Sequence, residues 1–194
     1  MSKWRVLISS FVLVFLFSSA VYASDLIGAN AFWSGGFKKQ SKYSDLKYYY
    51  LRDNPYRSQI QNAMSTFSSI SGLNFGFSEA DWALDADVIV AIDKENAKYH
   101  GMGGVMVPCN WSESDCNEVK TSEKWDTAAI FLFQDYMERE RYTSTEIQKV
   151  VSHEFGHVYS LVHQLTNTKS LMYPERTTIT KPSSLDISNL KWKY

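Results

Sequence analysis

The chain has 194 residues, 44% of them hydrophobic and 15% aromatic, which is enough for one domain with a substantial buried core. Its 20 basic and 21 acidic side chains nearly cancel, for a net charge of −1. That balance gives no electrostatic footprint for nucleic acid or for an acidic surface.

The chain opens on a targeting pattern. Lys3 and Arg5 form a positive start, residues 6–17 are mostly apolar, and Val21-Tyr22-Ala23 is a small-x-small cleavage site. Residues 1–23 are therefore expected to be a signal peptide, and the protein to be secreted or periplasmic. The apolar run is too short for a membrane span, so no stable span is expected after cleavage. Without residues 1–23 the chain keeps 18 basic against 21 acidic side chains.

Residues 25–50 read as a polar, aromatic lead-in whose aromatics serve packing, with an early strand at Tyr48-Tyr49-Tyr50-Leu51. Asn54-Pro55 is a helix start, an asparagine cap followed by proline in the first turn. Ile60, Ala63, Met64, Phe67 and Ile70 recur at helical spacing, with an end expected near Gly72. Leu73, Phe75 and Phe77 alternate as in a half-buried strand, and residues 87–92 form a β-branched second strand. Residues 93–104 are a loop. Cys109 and Cys116 are the only cysteines. In an exported chain they are expected to form one local disulfide, the alternative being a metal site shared with His100. Thr127–Phe133 is apolar on both faces and reads as an interior strand. Residues 135–141 are a charged connector, where Asp135 is a candidate calcium ligand on the strength of one acid.

The chemistry concentrates in residues 143–174. Thr143 and Glu146 make a capping box, and Ile147, Val150, Val151, Phe155 and Val158 form an apolar stripe behind it. His153 and His157, four apart, stand on one helix face. Two neutral imidazoles so placed can ligate one Zn²⁺. Glu154 sits beside them, where a carboxylate can take a proton from water. His163 can join only if the helix ends near Ser160 and the chain turns back. Three ligands leave a fourth position open, as in catalytic rather than structural zinc sites.

His153-Glu154-x-x-His157-x-x-Ser160-x-x-His163, followed by Ser170-Leu171-Met172-Tyr173-Pro174, resembles the metzincin zinc proteases, most closely the matrixin branch. The pattern-level resemblance covers about residues 55–190. It implies an α+β fold in a single domain: a twisted mixed sheet with an edge strand over the cleft, a helix in the N-terminal half, an active-site helix and a C-terminal helix. It implies one catalytic Zn²⁺ on His153, His157 and His163, Glu154 as general base, and Met172 as a methionine turn beneath the metal. It also implies that Gly104, Val105, Met106 and Val107 form the edge strand that binds substrate, with Pro108 and the cysteine loop ending it. Tyr173 and Pro174 belong to the substrate wall, and Asp186 resembles an aspartate that supports the methionine turn, its other reading being a first-turn acid of the closing helix.

One position departs from the pattern: Ser160 stands where the family has glycine. The left-handed backbone needed there costs a serine on the order of 1 kcal/mol. Arg176 stands where the family has an aromatic in the pocket wall. The resulting expectation is a monomeric, exported zinc endopeptidase acting on protein or peptide. The competing readings are an exported metzincin-shaped binding protein that keeps zinc for stability, and an amidase of cell-wall peptide.

Overall fold

The computed structural model describes residues 24–194; the targeting segment expected at residues 1–23 lies outside them. Among the described residues no helix is long and apolar enough to cross a membrane.

The strands in chain order are β1 (Gly36–Phe37), β2 (Leu46–Tyr50), β3 (Phe77–Glu79), β4 (Val88–Asp93), β5 (Gly104–Ser112), β6 (Asp115–Glu118), β7 (Lys124–Trp125) and β8 (Thr127–Phe133). The helices are α1 (Arg57–Ser68), α2 (Gln134–Arg139), α3 (Ser144–Val158) and α4 (Ser184–Lys193). Six strands form one mixed sheet in the order β3-β2-β4-β8-β5-β6. The first four of that order run parallel, while β5 is antiparallel to β8 and β6 to β5. β1 and β7 make a separate parallel pair. This is the expected α+β architecture.

The core lies between the sheet and helices α1 and α3. Ile60, Ala63, Met64 and Phe67 of α1 meet Val151, Phe155 and Val158 of α3 above Val88, Val90, Ile130 and Leu132 of the sheet. β8 is buried along nearly all its length because β4 and β5 flank it on both sides. Such a strand must be apolar on both faces.

Several boundaries differ from expectation, each for a local reason. The side chain of Asn54 accepts from the Tyr56 amide, so α1 starts only at Arg57. It ends at Ser68, before Gly72, whose φ of +85° marks the following turn. Of the alternating run only Phe77 enters a strand. Gly76 is spliced against the backbone of residue 44, where an added Cβ would lie 2.3 Å from a carbonyl oxygen. The charged connector contains α2, which carries the i to i+4 pair Gln134–Glu138.

Pro108 does not end β5. Its missing N–H falls on the side facing β6, where its carbonyl still accepts from Val119, and the strand runs on to Ser112. The Cys109–Cys116 disulfide therefore lies inside the β5–β6 hairpin. On α4 the buried side is Asp186, Asn189 and Leu190, with Leu185 half-buried and Trp192 60% exposed rather than core.

Candidate metal centre

The Thr143–Glu146 capping box is formed in both directions and fixes the start of α3. Fifteen residues later the helix stops at Val158, and Ser160 takes φ +61°. That single left-handed residue reverses the chain and brings His163 back over the helix end. The lead-in holds the reversal: Trp33 N–H donates to the Ser160 carbonyl, Val162 N–H donates to Ala31, and Phe32 bridges Leu161.

Three imidazoles converge as a result. His163 Nε2 lies 3.1 Å from His157 Nε2 and 3.1 Å from His153 Nε2. Nδ1 of His153 is 2.9 Å from the Leu171 carbonyl, and Nδ1 of His157 is 2.7 Å from the Leu161 carbonyl. A carbonyl can only accept, so both Nδ1 carry the proton and both Nε2 present bare lone pairs. Burial pushes both rings far below the ordinary histidine range, His157 to about 3, which keeps them neutral. His163 is also lowered, first by burial and then by Lys149.

Bare nitrogen lone pairs facing one another in a buried site repel unless a cation lies between them. Tetrahedral ligation with Zn–N of about 2.0–2.1 Å puts ligand nitrogens about 3.3–3.4 Å apart, close to the spacing found here. The donor set thus fits zinc. Among the described residues these histidines are the cluster of metal-ligating side chains. Asp135, the calcium candidate, instead accepts the amides of Glu95 and Tyr136. His100 is an exposed partner of Glu95, away from the cysteines.

Met172 lies fully buried under the helix. A Cβ on Gly156 would sit 2.3 Å from Met172 Sδ, so any larger residue at this position of α3 would displace the buried methionine. Asp186 fills both of its expected roles. It accepts from Ser170 Oγ at 2.5 Å and Leu171 N at 2.9 Å behind the methionine turn, and it closes the Ser183 capping box of α4. Through the Leu171 carbonyl this network reaches the His153 ring.

The histidines open on a cleft of about 400 Å³. Glu154 lines it, 5% exposed, with its carboxyl pushed up to about 7 by burial, against the opposing pull of Lys149 and the Met106 amide. Gly104, Val105 and Met106 form one wall and Pro174 to Thr177 the other. The β5 edge faces the cleft here, with the Met106 amide turned to the Glu154 carboxyl. Gly103 and Cys109 point their carbonyls at β8 and its lead-in, and Pro108 points its own at β6. Strand alternation therefore aims the ladder groups of Gly104 and Met106 at the cleft. Val107 does not belong to this wall: its side chain lies on the opposite face of the sheet with Cys109, Ala129 and Phe131. Tyr173 contributes its carbonyl, which accepts from Lys149 at 2.9 Å, rather than a lining side chain.

Two cleft residues, Trp33 and Lys149, were not singled out by sequence reasoning, and the contacts of a third, Arg176, were not foreseen. Trp33 stacks on His157 with ring centroids 4.7 Å apart, so one aromatic of the lead-in does more than pack the core. Lys149 is buried on the same helix face as the histidines, its ammonium lowered to about 8 by burial. Arg176 is clamped by Glu146 at 2.6 Å, donates to the carbonyls of Glu140 and Arg141, and lies over Tyr142.

Ser160 yields a direct test of the turn. Its hydroxyl is buried beside those of Tyr43 and Tyr194 and pulls on both phenols as a hydrogen-bond partner, but it makes no contact of full hydrogen-bond geometry. Ser160→Gly removes the left-handed strain and a poorly paired buried hydroxyl, against smaller losses from its weak pull on Tyr43 and Tyr194 and from glycine's freedom in the unfolded chain. It should raise stability by about 1 kcal/mol, or roughly 2–4 °C in Tm for a chain of this size. A fall in Tm in a thermal melt would show that the hydroxyl stabilises the turn.

No protein in a comparison with curated sequences matches the chain. The family model for matrixins matches residues 37–191, which span the six-stranded sheet, α1 to α3, most of α4 and the three histidines, and the chain belongs to that family of zinc metalloendopeptidases.

Proposed function

We propose that this chain is an exported endopeptidase that uses one zinc ion, with His153, His157 and His163 as ligands and Glu154 as general base. The observation that carries the reading is the convergence of three neutral Nε2 atoms beside a buried carboxylate on a cleft walled by a free strand edge. Zinc, when bound, supplies Lewis acidity toward a carbonyl oxygen and lowers the pKa of water to about 7.

The chain's own groups supply the rest. An extended peptide adds to the edge of β5 through the Gly104 backbone and the Met106 carbonyl, the Met106 amide being held by Glu154, a mode of binding largely indifferent to sequence. Glu154 accepts a proton from the attacking water as its oxygen bonds to the peptide carbonyl carbon. The C–N bond then breaks, and Glu154 returns that proton to the leaving amine. Trp33 covers the His157 ring and Pro174 the opposite rim, and both keep bulk water from the reacting groups.

The test is digestion of casein by the chain starting at Ser24, with and without a chelator. Digestion should stop with chelator and return with added zinc. Undiminished digestion under chelation would refute the metal's role. Zinc binding without digestion of any peptide would favour the binding-protein reading.

A further inference from the structure

Lys149 has no part in the hydrolysis above, and its placement is unusual. It is 4% exposed, lies one turn before His153 on the metal-facing side of α3, and lines the same cleft. An ammonium has three N–H donors. One goes to the Tyr173 carbonyl, and no other acceptor meets Nζ among the described residues. No carboxylate among them lies within ion-pair distance of it either, so the charge is buried without a counter-charge in contact. A buried, unpaired ammonium is costly to maintain, and here it faces open volume rather than packed core.

The surroundings limit what can fill that volume. Glu146, the nearest acid on the preceding turn, is already taken by Arg176 in a two-point ion pair. Glu154 is buried and acts on Lys149 through space but is not in contact with it, while Glu175, which also acts on it, and Glu140 stand exposed at the mouth. Lys149 is the cationic group at the buried end. We propose that Lys149 is the specificity-determining residue of the cleft, and that the chain cleaves beside an acidic side chain whose carboxylate pairs with Lys149 Nζ. The proposal rests on the endopeptidase reading and adds the substrate class to it.

The geometry distinguishes this from binding of a peptide's terminal carboxylate. The cleft is also lined by Pro174–Thr177 and by Gly104 to Met106 of the β5 edge, which pairs with β8 on its other side only. Backbone can therefore extend on both sides of the bond being cut, as an internal site requires.

The experiment uses the zinc-loaded chain and amidated peptides identical except for Glu, Gln or Leu at each position flanking the cleaved bond, with one free-acid series. At one flanking position Glu should be preferred to Gln by roughly tenfold or more in kcat/KM, the range of a charge-assisted hydrogen bond. Lys149→Met should lower the Glu-to-Leu ratio by a similar factor and raise cleavage of the Leu peptide, while Lys149→Glu should favour a basic side chain instead. Equal cleavage of Glu, Gln and Leu peptides by the unmodified chain at every position would overturn the proposal without any variant. A loss in kcat common to all peptides in Lys149→Met would also overturn it, since Lys149 would then act only on Glu154 or the wall. Preference confined to the free-acid peptides would replace it with terminal-carboxylate recognition. If no peptide is cut at all, the endopeptidase reading fails first. Titration calorimetry of the Glu and Gln peptides against the zinc-loaded chain then decides the Lys149 proposal separately, equal affinities overturning it.

Discussion

Glu154→Gln should retain zinc and lose peptide hydrolysis by roughly 10²–10⁴-fold, the contribution of a positioned general acid–base group. The substitution keeps volume and shape at a site 5% exposed, so no cavity opens. It leaves the histidines untouched, because their orientation comes from the carbonyls of Leu161 and Leu171 and not from Glu154. What disappears is the ability to take a proton. An amide has no basic oxygen to take up a proton across the accessible pH range, whereas a carboxylate has. The measurement pairs zinc content with kcat on one peptide. Cleavage within threefold of the unmodified chain would remove Glu154 from the mechanism. Loss of zinc together with activity would make it a structural support of the site instead.

How much of this site was legible in the sequence depends on how local each contact is. The pair His153 and His157 is encoded by helical period, and the capping box Thr143–Glu146 announces where that period begins. His163 was legible only through the turn that Ser160 must make, and the left-handed φ found there is the strain that a non-glycine residue implies. Gly156 carried a signal that could have been read: glycine inside a helix costs about 1 kcal/mol against alanine, so its presence points to a close approach, here Met172. Lys149 could have been found as the i−4 neighbour of His153, a cation on the ligand face where a solvated charge would be expected on the opposite one.

Other features were out of reach because nothing local encodes them. Trp33 meets His157 across 124 residues of chain, and only the pairing of the lead-in with residues 160–162 brings them together. The side to which Val107 points depends on the register of β5 against β8, and a shift of one residue reverses it. The interior position of β8 was legible from its apolar run, and the α+β class from the resemblance carried by the histidine and methionine motifs. The boundaries of α1 and β3 were not, since they turn on an asparagine side chain taking a backbone donor and on a glycine pressed against a neighbouring carbonyl.

His157→Ala should abolish stoichiometric zinc binding and make the chain's melting temperature insensitive to zinc. An outer-shell partner is worth roughly 10–100-fold in metal affinity, and a ligand is worth more, because two nitrogens cannot close the site. In the unmodified chain zinc binds only the folded form. At a free concentration of about a thousand times Kd it should add about 4 kcal/mol, or roughly 8–16 °C in Tm. The variant should show none of this. Its metal-free form should also respond to acid differently. In the fold His157 is held down to about 3 against an unfolded value near 6.5, so between those limits the unfolded chain takes up a proton that the folded chain refuses. Stability of the chelated unmodified chain therefore falls as pH drops through that window. The alanine variant lacks this penalty, and the stability difference between the two chelated proteins should shift in its favour from pH 6.5 downward. Equal zinc stoichiometry in the variant would break the ligand set, while an unchanged acid response would show that His157 is solvated and protonated in the metal-free fold, contrary to its burial against Trp33.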